Sequence, residues 1–300
     1  MLPVLLMSLL AQAPQAAPTF KSSSELVVLH VAVVDRHAGF VAGLPRDAFS
    51  VYEDHRPQQI TFFQNDDTPV TVGLVIDSSQ SMVTRLPGVI AAGMAFAESS
   101  RADDEMFTIN FNEHLRRGLP EGQLFTSDHE ELRQALNRSG ARGMTALYDA
   151  IDAGLTQLDQ GSRERKVLIV VSDGGDNASH TRFADVLDAA LRRDVVIYAV
   201  GIYDANDSDA RPDVLRQLAS ATGGEVFFPK TFDQVEPALQ RIARDIRSSY
   251  TIGYVPPKDG DPAGHRHTVR VAVQPPDGRK LAVRARSAYI GGAEVMGASK

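Results

Sequence analysis

Residues 70–82 read VTVGLVIDSSQSM. Up to Ile76 the run is almost wholly apolar and lacks the alternation of a half-buried strand. It therefore reads as a strand covered on both faces, as in a parallel sheet flanked by helices. The run ends in Asp77, Ser78, Ser79, Gln80 and Ser81, one carboxylate and three hydroxyls that are all hard oxygen donors. Ser79 and Ser81 follow the aspartate by two and four residues. A strand delivering such a cluster at its carboxyl end predicts half of a divalent-cation site, because Mg²⁺ and Ca²⁺ take oxygen ligands.

Outward from this stretch, apolar strands alternate with amphipathic helical patterns. Strands are predicted at 105–112, 166–173, 195–202 and 224–229, with a weaker one over Gly122–Phe125. Helical periodicity covers roughly 86–100, 128–138, 145–159, 183–193, 211–221 and 231–248. Such alternation predicts an α/β fold with a mostly parallel sheet. The link from 105–112 to the weak strand is too short for a crossover helix, so that member is expected to be antiparallel.

A second long strand, KVLIVVSD, also ends in an aspartate, Asp173. Ligands of open α/β sheets sit at the carboxyl ends of strands where the strand order reverses. If the two strands are neighbours there, Asp77 and Asp173 face one another. A third loop, Gly140–Leu147, is glycine-rich and carries Thr145 at the start of a helix. Each piece also has a purely structural reading. Asp77, Ser79 and Ser81 suit a capped strand-to-helix turn, Thr145 suits a helix N-cap, and Asp173 suits a turn.

Together these residues resemble a known family. Asp77-Ser78-Ser79-Gln80-Ser81 matches the Asp-x-Ser-x-Ser motif of von Willebrand factor type A (VWA) domains, the metal-ion-dependent adhesion site (MIDAS). Thr145 in GMTALYDA and Asp173 in VSDGGDN continue the match in the family's order. The resemblance spans roughly 69–247 and implies a doubly wound, Rossmann-like sheet of order 3-2-1-4-5-6. It also implies a metal set of Asp77, Ser79, Ser81, Thr145 and Asp173, holding Mg²⁺ (or Mn²⁺ or Ca²⁺). The partner implied is a protein presenting an Asp or Glu side chain that completes the metal shell. The flanking segments resemble a bacterial, acidobacterial-type subgroup of exported proteins carrying this domain.

Those flanks read as β structure. SELVVLHVAVVD, AFSVYED and QQITFF precede the α/β region; YTIGYVP, HTVRVAVQP and KLAVRARSAYI follow it. Neither set alone forms a full domain. The expected organisation is a β-sandwich of residues 19–68 plus 249–291, a VWA domain of 69–248 inserted between them, and a tail over 292–300. Residues 1–17 combine an apolar run with Ala11-Gln12-Ala13, as in a signal peptide with its A-x-A cleavage site, which predicts export. No later apolar run is long enough to span a bilayer.

Composition narrows the class. The 300 residues carry a net charge of −7, which excludes the basic balance of a nucleic-acid binder. No cysteine is present, so disulfides, thiolate nucleophiles and Cys-ligated zinc are excluded. No P-loop, G-x-S-x-G or H-E-x-x-H motif occurs. The Asp204–Asp209 run has calcium-loop flavour without the required glycine and glutamate, and reads as a solvated loop. His265-x-His267 offers two imidazoles but no evident third ligand, and reads as a plain edge strand.

The expected function is a non-enzymatic, Mg²⁺-dependent interaction or adhesion module. One rival is a metal-assisted hydrolase or phosphotransferase built on Asp77 and Asp173. No His or Lys falls in the three loops to act as its base, and His180 is the nearest in sequence. The other rival is a scaffold protein with an incidental metal site.

Overall fold

The computed structural model describes residues 26–37, 39–138, 142–203, 209–257 and 264–291. The expected leader over 1–17, the segment 19–25, residues 140–141 of the glycine-rich loop, the 204–208 run and the tail over 292–300 lie outside the described residues.

The N-terminal part supplies β1 (Val27–Val34), β2 (Phe49–Glu53), β3 (Arg56–Gln58) and β4 (Ile60–Gln64). The central part runs β5 (Val70–Asp77), α1 (Leu86–Glu98), β6 (Glu105–Phe111), β7 (Leu115–Arg117), α2 (His129–Leu136) and α3 (Leu147–Leu158). It continues through β8 (Arg165–Ser172), α4 (Phe183–Arg192), β9 (Val195–Gly201), α5 (Pro212–Thr222), β10 (Val226–Phe227) and α6 (Val235–Ser248). The C-terminal part adds β11 (Tyr250–Tyr254), β12 (Arg266–Val273), β13 (Ala282–Arg284) and β14 (Ala288–Ile290).

The central sheet has the order β10-β9-β8-β5-β6-β7 and is parallel except for β7. Counted within this unit the order is 3-2-1-4-5-6, the doubly wound arrangement expected. Every residue of β5 is buried, because both faces of the sheet are covered. On one face Val72, Leu74 and Ile76 pack with Val89 and Phe96 of α1 and Leu239 and Ile242 of α6. On the other, Val75, Leu168 and Val170 pack with α3, α4 and α5. Because side chains alternate along a strand, an apolar residue at nearly every position serves both cores at once.

One position in β5 must be small. A Cβ at Gly73 would lie 2.4 Å from Phe107 Cζ and 2.8 Å from Leu168 Cδ1. Gly73→Ala therefore overpacks the central strand, and urea denaturation should show a loss of about 1–3 kcal/mol. An unchanged midpoint would mean that the two neighbours move aside freely.

The antiparallel member of the sheet is not where the pattern placed it. β7 is Leu115–Arg117, paired with β6, while Thr126 makes only a single bridge to Met106. All three β7 residues are exposed, so no apolar signal marks this edge strand.

The two chain ends build two four-stranded antiparallel sheets, β13-β1-β11-β4 and β14-β12-β2-β3. They share one apolar core, in which Phe49 of β2 lies 4.8 Å from Tyr250 of β11, centroid to centroid. The chain changes sheet twice, once at the start of the expected strand QQITFF and once within the expected strand KLAVRARSAYI. RPQ pairs with β2, whereas ITFFQ, beginning after Gln59, pairs with β11. Likewise AVR joins β1 and AYI joins β12. The second break has a visible cause: Ser287 N donates to Ala221 O and Arg286 Nη2 to Leu191 O, docking 285–287 on the ends of α5 and α4.

No helix among the described residues is long and apolar enough to cross a membrane.

Candidate metal centre

The topology brings the ends of β5 and β8 side by side, with β6 on the far side of β5. Asp77 aligns with Phe111 of β6, and Ile76 with Val171 of β8. Ser172, the last residue of β8, and Asp173 just after it therefore stand beside Asp77.

Asp77 is fully buried and its two carboxylate oxygens are both engaged. Oδ1 accepts from Ser79 N at 2.8 Å, and Oδ2 from Ser172 Oγ at 2.8 Å. Burial pushes its pKa up to about 6; hydrogen bonds from Ser79 and Ser172 oppose the rise and the nearby Asp173 charge adds to it. The hydroxyls form a line toward the second carboxylate. Ser79 Oγ lies 3.2 Å from Ser81 Oγ, which donates to Asp173 Oδ2 at 2.7 Å. Asp173 Oδ1 accepts from Gly175 N at 2.9 Å, so its side chain is held on both sides.

Thr145 arrives from the third loop. It is not the cap of α3: that position is Ala146, and α3 begins at Leu147. The carboxylate of Asp176 serves the helix start from another loop, its Oδ1 accepting from Tyr148 N at 3.2 Å. The Thr145 hydroxyl makes no hydrogen bond among the described residues, while its backbone N donates to Asn177 Oδ1 at 2.8 Å. The loop is anchored to its neighbours as well. Gln80 N donates to Gly143 O at 3.1 Å, Arg142 N to Ser78 O at 2.9 Å, and Ala146 N to Asn112 O at 2.9 Å.

All five expected residues thus meet at one place. Ser79, Ser81, Thr145 and Asp173 line a cleft of about 420 Å³, and the buried Asp77 is tied to it through Ser79. The lining contains no His and no Lys, and its one Arg, Arg211, is bound by Asp213 through two contacts at 3.0 and 3.1 Å. Among the described residues neither Asp77 nor Asp173 has a salt-bridge partner. Two carboxylates and three hydroxyls without a balancing cation are the donor chemistry of a hard divalent ion. His180 stands apart from the cleft, its side chain almost fully exposed and its Nδ1 3.2 Å from Asp149 Oδ2.

The profile of the von Willebrand factor type A domain matches residues 71–242, more than half of the chain. The chain belongs to the von Willebrand factor type A domain family. Solved VWA structures share its fold. A von Willebrand factor type A protein from Catenulispora acidiphila has a TM-score of 0.52 at 15% identity, covering 90% of this chain and 75% of that one. The vWF domain of the type V pili tip protein Mfa5 from Porphyromonas gingivalis gives 0.51 at 15%, covering 60% and 95%. Proximal thread matrix protein 1 from the mussel byssus, with a zinc-occupied MIDAS motif, gives 0.53 at 14%, covering 65% of this chain and 49% of that one. At these identities the likeness is one of fold. No curated protein matches the sequence.

Sequence reading of this VWA domain missed the residues that position the site. Ser172 supports Asp77, Asn177 carries the Thr145 backbone, and Asp176 caps α3. Asn112, at the end of β6, holds the third loop by accepting from Ala146 N through its backbone and donating from Nδ2 to Arg142 O. All four stand at or just after strand ends, the position that singled out Asp77 and Asp173.

Proposed function

We propose that Asp77, Ser79, Ser81, Thr145 and Asp173 hold a divalent cation, Mg²⁺ in preference to Mn²⁺ or Ca²⁺, and that the VWA domain uses it to bind a protein partner through an Asp or Glu side chain. The observation that carries this is the convergence of five oxygen donors from three loops on one cleft, with neither carboxylate balanced by a protein cation. A bound cation would supply an electrophilic centre with positions open to a partner's carboxylate. The chain's own residues shape that centre. Burial shields Asp77 from solvent, Ser79 N and Ser172 fix its oxygens, and the Ser81–Asp173 bond holds those two side chains together in the cleft wall. Few carboxylates leave a cation under-neutralised, which favours an acidic ligand.

VWA domains are generally interaction or adhesion modules, and the pilus-tip and byssal-thread neighbours are in keeping with that use. The hydrolase alternative lacks a His or Lys base in the cleft lining, and His180 is paired with Asp149 outside it. The limits 19–68 plus 249–291 for a sandwich, 69–248 for an inserted VWA domain, and export directed by residues 1–17 belong to the same proposal.

Calorimetric titration of the EDTA-treated protein with MgCl₂ should show one site. Mg²⁺ at 100 times its Kd should stabilise the fold by about 2.7 kcal/mol. Ser81→Ala and Thr145→Val should weaken both effects. A partner captured from extract in Mg²⁺ should be released by EDTA and lose binding when its own contact Asp or Glu is replaced. Equal capture in EDTA would remove the cation from the function.

A further inference from the structure

The two chain ends also meet at a cluster of a different chemistry. Asp54 occupies the first position of the two-residue turn between β2 and β3, where it and His55 have φ of 45° and 66°. Positive φ at both positions is the type I′ geometry that matches the twist of paired strands. The turn lies against the start of β12, and Asp54 N donates to Thr268 O at 3.0 Å. The carboxylate is fixed in the same way: Oδ1 accepts from Thr268 N and Thr268 Oγ1, each at 2.9 Å. That leaves Oδ2 aimed at His267 Nδ1, 2.9 Å away.

His267 is buried and stacked on Tyr289, with ring centroids 4.8 Å apart and planes 20° apart. His265 stands on the same side two residues earlier, exposed, its ring 4.8 Å from that of His267. One ligand atom from each of Asp54, His265 and His267 falls within 4.8 Å of the other two. A second carboxylate backs the cluster. Glu53 is buried with Oε1 3.7 Å from His267 Nδ1, while its Oε2 accepts from Tyr254 and Tyr289 hydroxyls at 2.6 and 2.9 Å. Among the described residues neither Asp54 nor Glu53 pairs with a Lys or Arg.

We propose that Asp54, His265 and His267 form a second cation site, for a first-row transition ion such as Zn²⁺, that clasps the β2–β3 turn to the start of β12. Two imidazoles and a carboxylate suit zinc, nickel or copper rather than magnesium. Three protein ligands leave the fourth tetrahedral position to water or to a donor from outside. Metal–ligand bonds of about 2.0–2.1 Å set ligand atoms roughly 3.3 Å apart. The Asp54–His267 pair is already near that spacing, and rotation of the exposed His265 side chain supplies the closure. Thr268 orients the carboxylate and Tyr289 the buried ring, as supporting residues do around metal ligands. The site joins residues 213 positions apart in the chain, so an ion there staples an N-terminal hairpin to a C-terminal strand within one of the terminal sheets. It shares no residue with the cleft at Asp77 and stands or falls independently of it.

The test uses the full chain carrying Asp77→Ala, which disables the cleft, stripped with EDTA and titrated with ZnCl₂. One Zn²⁺ equivalent should bind and raise the melting temperature, and MgCl₂ in excess should not displace it. Co²⁺ in its place should give the visible absorption of a tetrahedral site. Adding His265→Ala, an exposed substitution that leaves the strand pairing intact, should weaken zinc by more than about 100-fold, beyond the ~10–100-fold cost of losing a residue that only orients a ligand. Asp54→Asn should also weaken it while keeping the Thr268 contacts to Oδ1. No zinc bound by the Asp77→Ala chain, or zinc affinity unchanged by His265→Ala, would reduce the cluster to a histidine–carboxylate hydrogen bond and overturn the proposal.

Discussion

Asp77→Asn is expected to stabilise the metal-free protein at neutral pH and to abolish Mg²⁺ binding in the same variant. The carboxyl of Asp77 is fully buried and its pKa is pushed up to about 6, from an ordinary value of 3.8. A folded-state pKa above the unfolded one means that the folded chain prefers the protonated acid. Its ionisation is therefore harmless below pH about 4 and weakens the fold progressively until the pH passes 6. Above that the penalty is complete, on the order of 3 kcal/mol. Asparagine is neutral at every pH and still accepts from Ser79 N. Its amide faces Ser172 Oγ, which can turn from donor to acceptor, so part of the gain is lost to that rearrangement. A net 1–2 kcal/mol corresponds to a rise in melting temperature of roughly 2–8 °C. The difference from wild type should vanish near pH about 4 and reverse in saturating Mg²⁺, since only the wild type gains from the ion. Melting curves in EDTA and in Mg²⁺ across that pH range provide the measurement. An Asp77→Asn chain less stable than wild type in EDTA at neutral pH would show that Asp77 serves the fold rather than a ligand. The underlying trade-off is general: a buried charge that costs stability persists where it binds something.

The same residue shows what a sequence makes legible. Asp77, Ser79 and Ser81 are contiguous, and the apolar run before them fixes their place at a strand end. Asp173 follows by the same reasoning from KVLIVVSD. Strand–helix alternation predicts the mostly parallel sheet, and the strand order implied by the family resemblance sets the two strands side by side. Thr145 was legible as a loop residue, but its freedom from capping was not. That depends on Asp176, which reaches α3 from a loop distant in sequence. β7 escaped because its three residues are exposed and its pairing is set by the preceding turn, where His114 N donates to Asn112 Oδ1 at 2.8 Å. KLAVRARSAYI read as one strand because alternation continues through Arg284, Ala285 and Arg286. Contacts to α4 and α5, invisible in local pattern, divide it. The third member of the histidine cluster was hidden for the same reason, since strand pairing alone brings Asp54 to His267.

Arg284→Met should be the most damaging single change among the polar contacts that join the VWA domain to the terminal sheets. Arg284, on β13, reaches Asp245 of α6 through Nη2 and Glu225 Oε2 through Nη1, the latter at 2.7 Å. Asp245 is almost wholly buried, and burial raises its pKa while Arg284 pulls it down. Arg165, fully buried on β8, is committed to the Ile246 carbonyl at the end of the same helix. Taking away Arg284 leaves the Asp245 carboxylate without its direct ion pair. Breaking a buried pair on one side costs about 3–5 kcal/mol, and the quarter exposure of Arg284 reduces this to roughly 2–4 kcal/mol. The pH dependence follows from the sign of the shift. Without Arg284 the Asp245 pKa rises further, so the loss is largest at neutral pH and shrinks as acid protonates the carboxyl. Arg284→Met with Asp245→Asn should recover part of the loss, because the Asp245 carboxylate is then no longer stranded; the recovery is partial because the buried Arg165 loses the favourable Asp245 charge nearby. Only Ser249 separates α6 from β11, so this helix end is where the two parts of the chain are most directly coupled. Urea denaturation of the three variants at neutral and acidic pH decides the matter. A double variant no more stable than Arg284→Met would mean that Arg284 contributes packing rather than charge.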